Sequence, residues 1–156
     1  MKPFDTYPEG GRSLLGPVSD LSDYRYSNAA DMQSKTGQTC CAYCGADLTD
    51  SFDHWLLSSV ERVVPVRQAA QMGVPPEYRR DAINTVLVCL VCSGLSGNYY
   101  VPESWQKKRK ITDIEDFLTL RDKVFEDRKR RLNERRDRER EYYQFRPWEQ
   151  VRRRAA

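Results

Sequence analysis

Two C-x-x-C pairs constrain this chain more than any other feature: Cys41 and Cys44 in the run CAYCG, and Cys89 and Cys92 in CLVCSG, with 44 residues between the pairs. Each pair sets two thiols on one tight turn, and the glycine or small residue that follows lets backbone amides turn toward the sulfurs. Four thiolates from two such knuckles match the tetrahedral preference of Zn²⁺. A four-sulfur shell leaves no open position, so the expected metal is structural and its binding free energy goes into folding. The competing reading, four buried unligated thiols, does not account for the doubled spacing. Cys40 is the spare, either a bystander or a competitor of Cys41.

Disulfides are the other way to brace a small fold, but they need an oxidising compartment, and five cysteines leave one unpaired. The first 20 residues hold no apolar h-region. No apolar run approaches the roughly 18 to 20 residues that span a bilayer. The expectation is therefore a soluble, intracellular and cytoplasmic protein without a membrane partner. A length of 156 residues excludes two large domains. With 39% hydrophobic and 31% charged residues, the chain can bury a small core under a large solvated surface.

Composition divides the chain into three parts. Residues 1–38, rich in Pro, Gly, Ser and Asp, read as an extended N-terminal arm with at most one helical turn, from which Leu14, Leu15, Tyr24 and Tyr26 can dock. Residues 39–106 hold every cysteine, the single histidine and two β-rich runs, 60–66 and 85–91; this is the zinc-binding domain. Between those runs, 67–72 reads as a helical turn ended by Gly73, and Pro75 to Glu77 as the start of another short helix.

Residues 107–156 read as a long basic helix and tail. Thr112 with Glu115 forms a capping box, and Ile114, Phe117, Leu118, Val124, Phe125 and Leu132 recur at helical spacing. The stretch after Leu132 lacks apolar residues and must project into water. Glu126–Arg130, Asp127–Arg131 and Glu134–Arg138 are spaced to support it, each by roughly 0.2–0.5 kcal/mol, and Pro147 is expected to close it. The fold class is α+β.

Charge is unevenly spread: residues 1–106 carry 8 Lys/Arg against 12 Asp/Glu, and residues 107–156 carry 18 against 11. Lys107, Lys108, Arg109, Lys110, Arg130 and Arg131 are candidates for contact with nucleic-acid phosphates. Interleaved acids make a solvated, salt-bridged helix the equal alternative. Tyr142, Tyr143, Phe145 and Trp148 can stack on bases or, the favoured reading, dock on a protein surface.

The segments CCAYCGADLT, VERVVPV and NTVLVCLVCSGLSGN, spanning about residues 40–98, resemble the HNH endonuclease family. That family's pattern is C-x-x-C-G, a strand ending D-H-x-x-P, then N-x-x-x-x-C-x-x-C followed by Asn or His. The resemblance implies a ββα-metal finger buttressed by zinc-bound knuckles. It also implies roles: the Asp ligates a divalent metal (Mg²⁺ or Mn²⁺), the His is general base for the attacking water, the first Asn orients the His, and the residue after the second knuckle completes the metal site.

In this sequence those positions hold Glu61, Arg62, Asn84 and Ser93, with Ser96 where the family often has a basic residue. Only Asn84 is kept. Glu61 extends the carboxylate by one methylene, Arg62 cannot accept a proton near neutral pH, and Ser93 is a poor ligand for a hard cation. Arg62 reads equally as a phosphate binder or as a drifted residue. Asp53–His54 is a second D-H pair, which makes His54 a candidate substitute base, although its apolar flanks suit a packed histidine better.

The function expected from these residues is a zinc protein that binds nucleic acid, DNA ahead of RNA, or builds a complex without nuclease catalysis. The alternatives are an active metal-dependent endonuclease and a protein-interaction module that docks a partner on the C-terminal helix.

Overall fold

The computed structural model describes residues 2–15, 25–106 and 110–156. Two 3-10 turns, Pro3–Thr6 and Pro8–Gly11, lead to helix α1 (Arg25–Thr36) and, after the first knuckle, to α2 (Phe52–Leu56). Strand β1 (Ser59–Arg62) is followed by α3 (Val66–Gln71), α4 (Pro76–Arg79) and a 3-10 turn at Ala82–Asn84. Strand β2 (Thr85–Val88), α5 (Leu90–Ser96), α6 (Glu103–Gln106), α7 (Ile114–Tyr142) and α8 (Pro147–Ala155) complete the chain. The architecture is mixed α and β, dominated by helix, with one long C-terminal helix and one small sheet.

The sheet is a two-stranded antiparallel pair in which Ser59 faces Val88 and Arg62 faces Thr85. All four residues of β2 are buried. Helix α1 packs on both strands and α5 on β1, with α7 crossing α5. The β-rich runs are shortened at their C-terminal ends only: Pro65 starts α3, and Cys89 leaves the ladder to cap α5. The short helices flanking Gly73 lie where the sequence places them.

The described parts of the N-terminal region, residues 2–15 and 25–38, are not an extended arm. Phe4 and Tyr7 enter the core, where the Phe4 ring meets Phe125 edge-on at 5.4 Å and the Tyr7 hydroxyl donates to the Thr85 carbonyl. Gly11 makes this entry possible, because its φ is +88° and a Cβ there would lie 2.6 Å from the Tyr7 ring. Helix α1 adds twelve helical residues and buries Ala29 and Met32. Of the docking residues expected here, Leu14 is buried and Leu15 packs on the core. Tyr24 and the side chain of Tyr26 lie outside the described residues.

Helix α7 starts one residue later than its expected cap: Asp113, not Thr112, accepts from the backbone N–H of Asp116 at 2.8 Å. Its stripe of Phe117, Leu120, Val124, Phe125 and Leu132 is buried, and Arg121 and Arg128 are buried on the same face. Arg121 lies 3.7 Å above the Phe4 ring and donates to the Ile83 carbonyl. Of the expected surface pairs Asp127–Arg131 forms at 2.9 Å, while Arg130 bridges Asp127 and Glu134 rather than Glu126. Pro147 does not close α7, which ends at Tyr142; it opens α8 after Arg146, whose φ of 50° breaks the helix.

If Phe4 is a core residue, Phe4→Ala should lower unfolding free energy by about 3 kcal/mol, since deletion of a packed ring leaves a cavity and forfeits its burial. Urea unfolding followed by circular dichroism measures this. A loss within about 0.5 kcal/mol, the range of an ordinary surface substitution, would contradict the packing described.

Candidate metal centre and adjoining cleft

The first knuckle is a turn closed by hydrogen bonds from Gly45 N to Cys41 O and from Cys41 N to Ala46 O, each 2.9 Å. Gly45 adopts φ +75°, which keeps the turn tight enough to aim both sulfurs the same way. Ala42 N bonds Leu87 O at 2.9 Å and so fixes this knuckle on β2. In the second knuckle Cys89 is the N-cap of α5, its sulfur accepting from Cys92 N at 3.4 Å.

The four sulfurs of Cys41, Cys44, Cys89 and Cys92 lie within 4.8 Å of one another, and those of Cys44 and Cys89 are 3.8 Å apart. Zn–S bonds of about 2.3 Å in a tetrahedron require sulfurs about 3.8 Å apart, so the cluster can hold a structural metal ion and its spacing suits Zn²⁺. The hydrogen bond that the Cys41 thiol donates to the Cys89 sulfur, outweighing an opposing one with Cys92 and aided by burial, pushes Cys41 up to about 11. A bound cation displaces such protons, so affinity must fall as pH falls. Helix α7 lies over both knuckles: Asn133 donates to the Tyr43 carbonyl, and an Arg136 N–H points at the Cys92 sulfur from 3.8 Å. Cys40 is exposed and outside the cluster.

On the other side of α5 the structure gathers Glu61, Arg62 and Asn84 around one loop. Asn84 is fully buried and spans that loop: it accepts from Val64 N, donates to Val64 O at 2.9 Å and donates to Arg79 O at 3.0 Å. Arg62 donates to the Arg79 carbonyl at 3.1 Å. Glu61 accepts from the Ser96 hydroxyl and, at 3.1 Å, from Arg128. Burial raises the Glu61 carboxyl above the usual carboxylate range, against the opposing pull of Arg128 and Ser96.

Arg128 is the residue that sequence reasoning missed. Its side chain is only 3% exposed, its other terminal nitrogen donates to the carbonyls of Arg62 and Val63, and the guanidinium sits 5.0 Å from the Tyr99 ring centre. A signal was present, because Arg121 and Arg128 fall on the same stripe as Phe125 and Leu132.

Two expected site residues are not brought together with Glu61. The side chain that α5 turns toward Glu61 is Ser96, one helical turn beyond Ser93, whose carbonyl accepts from Ser96. His54 sits on α2, 61% exposed, paired with Asp50 at 2.5 Å. It lines a different cavity, next to Cys89 and Arg136, whereas Glu61 and Arg62 line a cleft of about 210 Å³ with Pro65, Gly97 and Tyr99.

Among the basic candidates, Lys107, Lys108 and Arg109 lie outside the described residues, and Lys110 is exposed. Arg130 is held by Asp127 and Glu134, and Arg131, itself paired with Asp127, lines with Arg135, Arg138 and Glu134 a second cleft of about 220 Å³ between α5 and α7. No known family model, curated protein or solved structure matches the chain.

Metal analysis of the purified protein should find one Zn²⁺ per chain, and strong chelators should unfold it. Cys41→Ser should lose the metal and Cys40→Ser should keep it. Arg128→Ala should cost about 3–5 kcal/mol in denaturant unfolding by leaving Glu61 buried and unpaired, and Glu61→Leu with Arg128→Met should recover most of that loss. A double variant as unstable as the single one would show that the pair is not the reason Arg128 matters.

Proposed function

We propose that the chain is a catalytically silent, HNH-like module that binds nucleic acid, with duplex DNA as the preferred partner. One observation carries the reading: the buried guanidinium of Arg128 is bonded to Glu61, the carboxylate at the family's metal-ligating position. Arg128 and Ser96 both bond Glu61 Oε1, and although Oε2 accepts no hydrogen bond from the described residues, a divalent cation bound there would sit beside a fixed, buried positive charge that also binds two backbone carbonyls. Arg62, at the position of the family's general base, keeps its proton at any physiological pH. Metal polarisation of the phosphate and activation of water are the two contributions such a site needs, and this cleft is built for neither.

The surface beside it is suited to holding phosphate. Arg131, Arg135 and Arg138 follow one another at i, i+4 and i+7 along α7 and line the cleft that Ser96, Asn98 and Tyr99 complete. Arginine forks match phosphate oxygens, and each phosphate neutralised releases counterions.

Incubation with supercoiled plasmid and Mg²⁺ or Mn²⁺ should give no nicking. Binding to duplex DNA should weaken as salt rises, and replacing Arg131, Arg135 and Arg138 with alanine should flatten the log–log slope by about 0.9 for each phosphate no longer neutralised. Nicking abolished by Glu61→Gln would overturn the silent site. Binding absent at low salt, or a slope indifferent to the three arginines, would overturn the nucleic-acid assignment.

A further inference from the structure

Two exposed surfaces of the same molecule are complementary. One is a groove of about 260 Å³ beside the second knuckle, floored by the buried Leu48 and walled by Leu57, Leu90 and Val91. These three walls are 40%, 45% and 56% exposed, which is unusual for adjacent aliphatic side chains. Phe52 and Trp55 of α2 stack on each other nearby, with ring centres 6.2 Å apart. The segment 45–58 that carries α2 has Asp47, Asp50 and Asp53 and no Lys or Arg. Arg136, which also lines the groove, has an N–H directed at the Cys92 sulfur.

The other surface is the tail. Tyr142, Phe145, Trp148 and Val151 are all more than half exposed. Trp148, Val151 and Ala155 recur at i, i+3 and i+7 along α8, so they share one face of that helix. Residues 146–156 carry four arginines against one glutamate. Helix α7 passes the groove at Arg136 and continues six residues further, about 9 Å, before the turn into α8, whose Trp148 and Val151 stay exposed and do not line the groove.

We propose that the chain pairs with a second copy of itself, the basic aromatic tail of each copy docking in the apolar, acid-flanked groove beside the zinc knuckle of the other. Apolar area meets apolar area, and with Arg146 paired to Glu149 and Asp50 to His54, Arg152, Arg153 and Arg154 meet Asp47 and Asp53. Because each molecule offers one tail and one groove, reciprocal exchange closes the assembly as a two-fold dimer. A nucleic acid stacked on the same aromatics has no use for the aspartates beside the groove, and a self-contact uses both surfaces.

The test is the mass of the zinc-loaded, full-length protein by light scattering or sedimentation, up to about 100 μM, where even a Kd near 1 μM leaves mostly dimer. The expected result is a dimer that Trp148→Glu with Val151→Glu converts to monomer, and that Leu57→Glu also converts to monomer while the zinc content stays at one per chain. Leu57 is remote in sequence from the metal ligands, so its variant separates loss of docking from loss of fold. Mixing the tail variant with the groove variant should restore a heterodimer through the one intact tail-in-groove contact, at least tenfold weaker than the parent. A monomeric parent protein overturns the proposal. So does a dimer indifferent to either variant, or a mixture that stays monomeric.

Discussion

Convergence of four thiols on one point holds this fold together. The sheet has two strands of four residues each, too little to persist in water without help. A metal ion held by the four thiols would join residue 41 to residue 92 and enclose the strands with everything between them, offsetting much of the loop-closure entropy that opposes the hairpin alone. The bond from Ala42 to Leu87 then carries the geometry of the cluster directly into the register of β2. Without the cation, the same arrangement crowds four buried or half-buried thiols within 4.8 Å for no compensating bond.

Two buried arginines do a comparable job at longer range. Arg121 and Arg128 stand on the apolar stripe of α7, where their aliphatic stems pack like leucines and their guanidinium groups reach backbone carbonyls at Ile83, Arg62 and Val63. Burying such a charge is costly unless it is paired and hydrogen-bonded, which is why Arg128 requires both the carbonyls and Glu61. The same requirement changes what the cleft can do. Glu61 Oε1 is committed to Arg128 and to the Ser96 hydroxyl, so that oxygen has a structural role in satisfying the chain's own buried cation.

The parts legible in the sequence were those with a spacing rule. Knuckles, strands, the short helices around Gly73 and the amphipathic half of α7 each repeat a recognisable period, and each lies where that period puts it. The N-terminal region was illegible because Phe4 and Tyr7 are isolated anchors in a Pro- and Gly-rich context, and their burial depends on Phe125 and Thr85 more than 75 residues away. Ser93 was expected at the cleft because a motif counts residues along the chain, while α5 rotates its side chains and delivers Ser96. Arg128 was hidden by chemistry: an arginine in a basic run reads as solvated surface, and only its phase relative to Phe125 and Leu132 reveals the buried face.

That phase also revises what the basic C-terminal third means. Its excess of Lys and Arg over Asp and Glu suggests a continuous positive stripe, but the arginines of α7 serve different partners according to the direction they face. Arg121 and Arg128 are internal, Arg130 is held by Asp127 and Glu134, and Arg136 points at the cysteine cluster. Along the α5 cleft stand Arg131, which shares Asp127 with Arg130, and then Arg135 and Arg138, on one face and within about two helical turns. The positive charge there is a short, directional patch, and it lies next to the cleft that holds Glu61. Net charge by sequence interval therefore overstates the available footprint, and the helical face determines where that footprint lies.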